Sequence, residues 1–193
     1  MSDAARPAPS RRTSTTREQW LAAAQDALIH TGVDGVRPEA LAATLGVEAD
    51  DFLQHFETRA ALLSALVAAW EVTALKPIQA IDATPEADAF ERLETFMATW
   101  VDSEPHSPVY DSAIRHWAQI DDEVAARVGR IDDERISRLT QIFRELGHEQ
   151  EEAFIRARIT YFHQIGYYAM GVKETRESRR QYWPLYMWIL TGR

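Results

Sequence analysis

The chain has 193 residues, of which 46% are hydrophobic and 26% charged, a composition typical of a folded globular protein with one or two domains. It contains no cysteine, which excludes disulfides and thiolate metal sites. The net charge of −9 argues against indiscriminate binding of nucleic acid, although it is compatible with a local basic patch. The sequence has neither the apolar region of a signal peptide nor a run of about 18 apolar residues, so we expect a cytoplasmic protein that does not cross a membrane.

Residues 1–14 are rich in proline, serine and arginine and lack apolar periodicity, which predicts a flexible arm. Beyond them, apolar residues recur at helical spacing and no stretch alternates like a strand, which predicts an all-α fold without a sheet. Four helices are predicted in the first part of the chain, over 16–31, 38–45, 47–56 and 58–77. Five more are predicted after them, over 85–104, 108–117, 121–146, 149–173 and 178–190.

Short-range signals place several of the predicted helix ends. Thr16 and Gln19 have the spacing of a capping box, in which each side chain bonds the backbone amide of the other residue. Pro38 fits the first position of the second helix, and Thr58 can cap the fourth. Pro77 marks the predicted end of that fourth helix, because proline lacks the amide hydrogen that a helix interior requires.

The segment 41–47 has the features of a tight turn between two short helices. Gly46 supplies the left-handed backbone conformation that such a turn needs, and Ala42 is small enough for the second helix to approach closely. Phe52 and Phe56 of the second helix can then pack on the first helix of the chain. This is the layout of a helix-turn-helix, whose second helix presents its N-terminal half to the major groove of DNA.

Residues 16–71 resemble the TetR (tetracycline-repressor) family of transcriptional regulators. The resemblance rests on the Leu-Ala-x-x-Leu-Gly-Val turn at 41–47, on His55 and Phe56, and on the Arg-Ala-Ala-Leu-Leu run at 59–63. It implies a nine-helix fold, a homodimer built on the last two long helices, and repression controlled by a small molecule. It divides the chain into an arm over 1–14, a three-helix DNA-binding domain over 15–60, and a helical effector-binding and dimerisation domain over 61–193.

The predicted recognition helix departs from the family pattern. Where the family has small, basic and phenolic residues that contact DNA, this chain has Glu48, Asp50 and Asp51, and carboxylates oppose binding to a polyanion. Residues 1–70 contain six arginines, no lysine and nine acidic residues, an excess of three negative charges. Two hypotheses follow: a ligand-responsive DNA-binding repressor, or a dimeric ligand-binding or protein-interaction module whose DNA-binding helix is vestigial or altered.

Four arginines are candidates for contacts with DNA phosphates. Arg11 and Arg12 lie in the arm, from which basic side chains can reach a groove or phosphates, or else remain a solvated tail. Arg17 and Arg37 lie at the entrances of the first two helices, where a bound phosphate is close to helix N-termini.

Three further candidates lie on or just after the recognition helix. Arg59 begins the fourth helix, where the resemblance implies a phosphate-binding lysine or arginine. Gln54 can pair with adenine, whereas His55 has either a DNA-contacting or a structural role.

The C-terminal part is rich in aromatic residues, which suit an effector pocket between helices but also core packing and a dimer interface. We expect a mostly apolar cavity near Trp100, Trp117 and Tyr161. The predicted ligand-binding residues are Trp100, Tyr110, His116, Trp117, Tyr161 and Gln164.

The eighth predicted helix is apolar on two faces, with Phe154 and Tyr161 on one and Ile155 and Phe162 near the other. A helix with two apolar faces needs two partners, so we expect a homodimer through helices 8 and 9. The sequence has no spacing typical of a metal site, a nucleophile elbow or a nucleotide-binding loop. We therefore expect a protein that is not an enzyme, with no catalytic residue, metal or cofactor.

Overall fold

The computed structural model describes residues 15–101 and 106–192, and these residues are helical, with no strand among them. Arg11 and Arg12 lie outside the described residues. The α-helices are α1 (Arg17–Thr31), α2 (Pro38–Leu45), α3 (Arg59–Ala74), α4 (Lys76–Asp82), α5 (Ala89–Val101), α6 (His106–Trp117), α7 (Asp122–Glu145), α8 (Gln150–Ala169) and α9 (Arg176–Thr191). Two short 3-10 helices cover Val33–Gly35 and Ala49–Gln54. The predicted all-α architecture is confirmed.

Helix starts follow the short-range signals in the sequence. The Thr16 hydroxyl accepts from the amide of Gln19 at 3.3 Å, and the Gln19 side chain accepts from the amide of Thr16 at 2.8 Å, so the capping box is present. Thr58 caps α3 through the amide of Ala61, and Asp121 caps α7. These caps satisfy amides at the start of a helix that have no partner within the helix.

Two predicted helix ends are wrong. Pro77 does not end a helix: α3 ends at Ala74, and Pro77 lies in the first turn of α4, where its missing amide hydrogen costs nothing. The fifth helix starts at Ala89 instead of residue 85, because Oδ1 of Asp88 accepts from the amides of Phe90 and Glu91. A local cap thus outweighs a proline as the start signal.

The buried apolar side chains form two clusters. The first joins α1, α2 and α3 to α6 and to the first part of α7, and it includes Trp20, Leu66 and Ile131. The second joins α4, α5, α8 and α9 to the later part of α7, and it includes Phe96 and Leu139. Because α7 contributes to both clusters, it connects the N-terminal helices mechanically to the C-terminal ones. The domain boundary after residue 60 remains a prediction.

Within the described residues, one stretch, Arg59–Asp82, is long and apolar enough to cross a membrane by length and composition alone. In the fold, one face of this stretch packs in the protein core. Leu62, Leu66 and Trp70 of this stretch are at most 2% exposed, and Glu71 is paired with Arg127 of α7. Its apolar residues therefore pack on the core from one face, as in a helix at the surface of a globular protein.

Candidate functional sites

The turn after α2 has the geometry that the sequence predicts. Gly46 adopts φ +70° and ψ +31°, the left-handed conformation, and the amide of Val47 donates to the carbonyl of Ala42 at 3.0 Å. The chain then reverses so that Phe52 packs edge-on against Trp20 of α1, with ring centroids 5.4 Å apart. Phe56 stacks on Phe52 at 5.7 Å. Helices α1 and α2 and the segment after Gly46 are therefore arranged as a helix-turn-helix.

The element after the turn is a 3-10 helix, Ala49–Gln54, preceded by Glu48; we call these residues the acidic segment. The sequence predicts a helix over 47–56. The structure has a helix within that range, but it is a 3-10 helix and ends at Gln54. Glu48 and Asp50 are exposed, Leu53 is 65% exposed, and Asp51 accepts from Nε2 of Gln54 at 3.0 Å. The outward face of the acidic segment therefore carries carboxylates and one apolar side chain.

Arg59, the first residue of α3, is bound to the loop before α2. Its Nε donates to the carbonyl of Val36 at 2.5 Å and its Nη2 to the carbonyl of Val33 at 2.6 Å. Two of its three guanidinium nitrogens thus hold the 3-10 turn Val33–Gly35 in place. The structure gives this arginine an internal role that the sequence did not indicate.

The other predicted DNA-contacting residues within the described part of the chain differ in their surroundings. Arg37 is exposed at the start of α2, and Arg17 is exposed with its guanidinium 4.7 Å from the centroid of the Phe56 ring. His55 is half-buried, with Nε2 3.2 Å from the hydroxyl oxygen of Thr15, which in turn accepts from the indole of Trp20. His55 therefore has a structural contact, and its contact with DNA stays a prediction.

The six residues predicted to bind an effector do not meet in one place. Trp100 and Tyr161 are buried neighbours in the second cluster, with ring centroids 6.1 Å apart. Tyr110 and Trp117 belong to the first cluster, where the Tyr110 hydroxyl donates to the carbonyl of Leu66 at 2.7 Å. His116 is exposed and Gln164 is buried on α8. Core packing thus accounts for most of these aromatic side chains.

Tyr161 is surrounded by charged groups. Its hydroxyl donates to Oδ1 of Asp132 at 2.6 Å and accepts from Arg115 at 3.0 Å and Arg135 at 3.1 Å. Arg135, which is 5% exposed, also donates through Nε and Nη2 to the carbonyl of Ala74 at the end of α3. Burial raises the pKa of Tyr161 to about 12, so the phenol stays protonated and can donate.

A cavity of about 250 Å³ lies between α8, α9 and α5, and we call it the α8–α9 cavity. Its apolar lining residues are Met97, Ile159, Trp183, Tyr186, Ile189 and Leu190. Its polar lining residues are Thr160, His163, Gln164, Tyr167, Glu174 and Arg179. Of the predicted ligand-binding residues, Gln164 lines this cavity, and Trp100 lines an adjoining hollow of about 450 Å³ that shares Arg179 with it.

Sequence reasoning missed Arg179 and Trp183, because it assigned the aromatic part of α9 to a dimer interface alone. The available signal was their spacing: the two residues are four apart, so a helix places them on one face. In the structure, the Arg179 guanidinium lies 4.7 Å from the Tyr167 ring centroid, and it donates to Oε1 of Gln164 at 3.2 Å.

Helices α8 and α9 also carry an outward apolar face, which we call the α8–α9 face. It consists of large hydrophobic side chains that are at least 41% exposed: Phe154, Ile155, Ile159, Phe162, Tyr182, Leu185, Tyr186, Trp188 and Ile189. The guanidinium of Arg158 lies 5.4 Å from the Phe154 ring and 5.2 Å from the Phe162 ring. Ile159, Tyr186 and Ile189 also line the α8–α9 cavity, so the cavity adjoins this face.

No family model matches the chain, and no curated protein matches it. Solved structures do match it along most of its length. A transcriptional regulator from Rhodococcus sp. Rha1 aligns with a TM-score of 0.65 at 17% identity, covering 92% of each chain. The ketosteroid transcriptional regulator KstR2 of Mycobacterium tuberculosis aligns with a TM-score of 0.69 at 14% identity, covering 94% of this chain and 95% of that one.

A regulator of the TetR/AcrR family from Thermobifida fusca YX-ER1 also aligns, with a TM-score of 0.61 at 14% identity, covering 91% of this chain and 94% of its own. These alignments demonstrate a shared fold. At identities this low, the function of this chain has to be argued from its own residues. The expected nine-helix architecture is thereby confirmed, and the chain has the fold of the TetR-type transcriptional regulators.

Proposed function

We propose that this protein is a ligand-responsive transcriptional repressor that binds DNA in the cytoplasm as a homodimer. The observation that supports it most directly is the helix-turn-helix at Gly46, which occurs within a fold shared over 92–94% of the chain with transcriptional regulators. The predicted division into a DNA-binding domain over 15–60 and an effector-binding and dimerisation domain over 61–193 is part of this proposal.

Phosphate contacts come, in this proposal, from the exposed arginines around the helix-turn-helix. Arg17 and Arg37 stand at the starts of α1 and α2, where backbone amides also favour an anion. Arg59 keeps Nη1 for a phosphate while its other two nitrogens hold the loop before α2. Gln54 reads a base edge, and the arm with Arg11 and Arg12 adds sequence-independent affinity.

The direct test is a selection of bound fragments from a sheared genome with the purified full-length protein. A dimer with two helix-turn-helix elements should enrich an inverted repeat whose half-sites lie about one turn of DNA apart. Arg37→Ala should weaken binding to every fragment alike and reduce the slope of the salt dependence by about one unit, whereas Arg144→Ala, at an exposed position on α7, should not. A selection that enriches no sequence would contradict the proposal.

Dimerisation is assigned to the α8–α9 face with a second copy of the chain as its partner. An exposed patch with this many large apolar side chains on two adjacent helices is unusual for a monomer. The predominantly apolar face suits an obligate interface, which buries on the order of 2,000 Å² or more. The second helix-turn-helix that an inverted repeat requires then comes from the second copy.

A second candidate function is a dimeric ligand-binding or protein-interaction module in which the DNA-binding element has been altered. The acidic segment favours it, because Glu48 and Asp50 are exposed where a phosphate backbone would approach. The same genomic selection separates the two functions. A module of this kind would retain the dimer and the ligand site and enrich no DNA.

A further inference from the structure

Gln164 lines the α8–α9 cavity and carries a buried hydrogen-bond donor that is unused. The residue is 6% exposed, and among the described residues its Nε2 has no hydrogen-bond partner. The orientation of the amide is fixed by Arg179, because a guanidinium only donates and Oε1 must therefore face it. A buried donor without an acceptor is costly, so a ligand oxygen that accepts from Nε2 would be favoured at this position.

Arg179 adds a positive charge beside that donor. Within the described residues, no carboxylate oxygen lies within 4 Å of its guanidinium, which rests instead on the rings of Tyr167 and Tyr168. Because Nη2 of Arg179 donates to the amide that carries the free Nε2, the charge and the free donor are neighbours. Two donors side by side, one of them charged, match a carboxylate in shape and charge.

Of the other ionisable groups at the cavity, Glu174 opposes this charge, and a hydrogen bond from Ser178 together with the nearby Arg179 helps to hold the pKa of Glu174 below its ordinary value. Burial and the nearby Arg179 lower the pKa of His163, so the imidazole is neutral at pH 7. Glu174 lies at the exposed edge, and its two oxygens already accept from the Tyr167 hydroxyl at 3.0 Å and the Ser178 hydroxyl at 2.6 Å. The other polar residue of the lining is Thr160, whose hydroxyl donates to the carbonyl of Arg156 at 2.8 Å, and the remaining lining is apolar or aromatic.

We propose that the α8–α9 cavity binds an apolar carboxylic acid, whose carboxylate accepts from Nε2 of Gln164 and from Arg179 and whose hydrocarbon or aryl body lies against Met97, Ile159 and Trp183. This assigns a chemical class to the effector and rests on the proposed function only for the expectation that an effector exists. A volume of about 250 Å³ is near the lower end of ligand sites, so the acid is small. The second copy at the α8–α9 face covers the mouth of the cavity, since Ile159, Tyr186 and Ile189 belong to both.

The test measures binding to the purified dimer without DNA, so its result does not depend on whether an operator exists. The probes are 4-phenylbutanoate and octanoate, each compared with the amine and the alcohol that have the same body. Binding is followed by thermal shift and by the fluorescence of Trp183, with Trp183→Phe to identify the responding indole. We expect at least one acid to raise the melting temperature and to change the fluorescence, and its amine to do neither.

Variants test the two donors separately. Arg179→Met should weaken binding of the acid at least about tenfold, because it removes a charge-assisted hydrogen bond. Binding of the alcohol should be nearly unchanged, because methionine keeps the apolar stem. Gln164→Leu should weaken binding of the acid to a smaller extent. Arg180→Met, one residue along α9, should leave binding of the acid unchanged. If a variant fails to fold by circular dichroism, the comparison of acid, alcohol and amine on the unaltered protein decides. Equal binding of acid and amine, or no binding of either acid, would overturn the proposal.

Discussion

The hydroxyl of Tyr161 on α8 donates a hydrogen bond to Oδ1 of Asp132 on α7 at a distance of 2.6 Å. The phenolic oxygen of Tyr161 also accepts from Arg135, which in turn donates to the carbonyl of Ala74 at the end of α3. One buried phenol thus connects the helix that walls the α8–α9 cavity to the helix that follows the helix-turn-helix. Such a contact transmits strain only if it has two arrangements, and it is therefore a natural place to test coupling between effector and DNA.

Removing this hydroxyl should destabilise the protein. Tyr161→Phe keeps the ring but leaves one buried nitrogen of Arg135 without its acceptor, so we expect the free energy of unfolding to fall by about 1–3 kcal/mol. Ser137→Ala, which removes an exposed hydroxyl from α7, is the control and should change it by less than about 0.5 kcal/mol. Urea denaturation followed by far-ultraviolet circular dichroism measures both. Equal stability of the two variants would show that the hydroxyl network contributes nothing.

Two glycines should respond in opposite ways to alanine. Gly46 has a φ of +70°, so Gly46→Ala should cost about 1 kcal/mol of stability even though an added Cβ would meet no atom within 4 Å. Gly129 lies in the middle of α7 with equal open space, so Gly129→Ala should stabilise by about 0.5–1 kcal/mol. Thermal unfolding of the two variants shows whether each substitution raises or lowers the stability. A neutral Gly46→Ala would mean that the turn does not need the left-handed conformation.

Much of the fold is predictable from the sequence because its signals are local. The capping box of Thr16 and Gln19 and the cap at Thr58 each involve neighbours within three residues, and both form as the pattern indicates. The turn at Gly46 is predictable for the same reason. Pro77 misleads because proline is equally compatible with the end of one helix and the first turn of the next. Only the packing of α3 and α4 on the core decides between them.

The candidate effector site was less predictable because it depends on contacts between distant parts of the chain. Sequence alone identified Gln164 and Trp100 as candidates, yet it could not pair Gln164 with Arg179, fifteen residues away on another helix. Nor could it separate Trp117, which packs in the first core cluster, from Trp100, which packs in the second. Aromatic content reveals how much ring surface must be buried, and the tertiary arrangement of helices determines where.

Stability should depend on pH through Glu71. Two hydrogen bonds from Arg127, at 2.9 and 2.6 Å, hold the pKa of Glu71 below its ordinary value of 4.5. A lowered pKa in the folded state stabilises the protein above pH 4.5, and that contribution is lost as the pH falls through the folded-state value. The stability difference between the unaltered protein and Glu71→Gln should therefore be constant from about pH 7 to 5 and shrink below 4.5.

Urea denaturation at several pH values, with the exposed Glu151→Gln as control, measures this difference. The control should show no comparable dependence on pH. A gap between the unaltered protein and Glu71→Gln that widens as the solution becomes more acidic would contradict the assignment.

The dimer should dissociate when charge is placed on the α8–α9 face. Ile155 is 49% and Trp188 is 60% exposed, and neither lines the cavity, so Ile155→Arg and Trp188→Glu should each give a folded monomer. Ile120→Arg is the control, because Ile120 is 74% exposed after α6 and should leave the dimer intact. Light scattering at micromolar concentration determines the mass. An unaltered protein that is itself a monomer, or a dimer that tolerates both charges, would exclude this face.

The acidic segment should limit affinity for DNA. Replacing its three acids together, Glu48→Thr, Asp50→Gly and Asp51→Ser, removes the carboxylates that face the groove in the proposed complex, so non-specific binding should become stronger and more dependent on salt. Because the change also raises the net charge by three, the control removes three exposed acids of α7 and α8, with Asp133→Ser, Glu134→Thr and Glu151→Ser. Fluorescence anisotropy with a random-sequence duplex at several salt concentrations compares the two triple variants. A larger gain for the acidic segment than for the control assigns the effect to position and not to total charge.

If the unaltered protein instead binds one operator at nanomolar strength and the triple variant loses that binding, these acids read bases or hold the segment in shape. The hypothesis of an altered DNA-binding module would then be excluded.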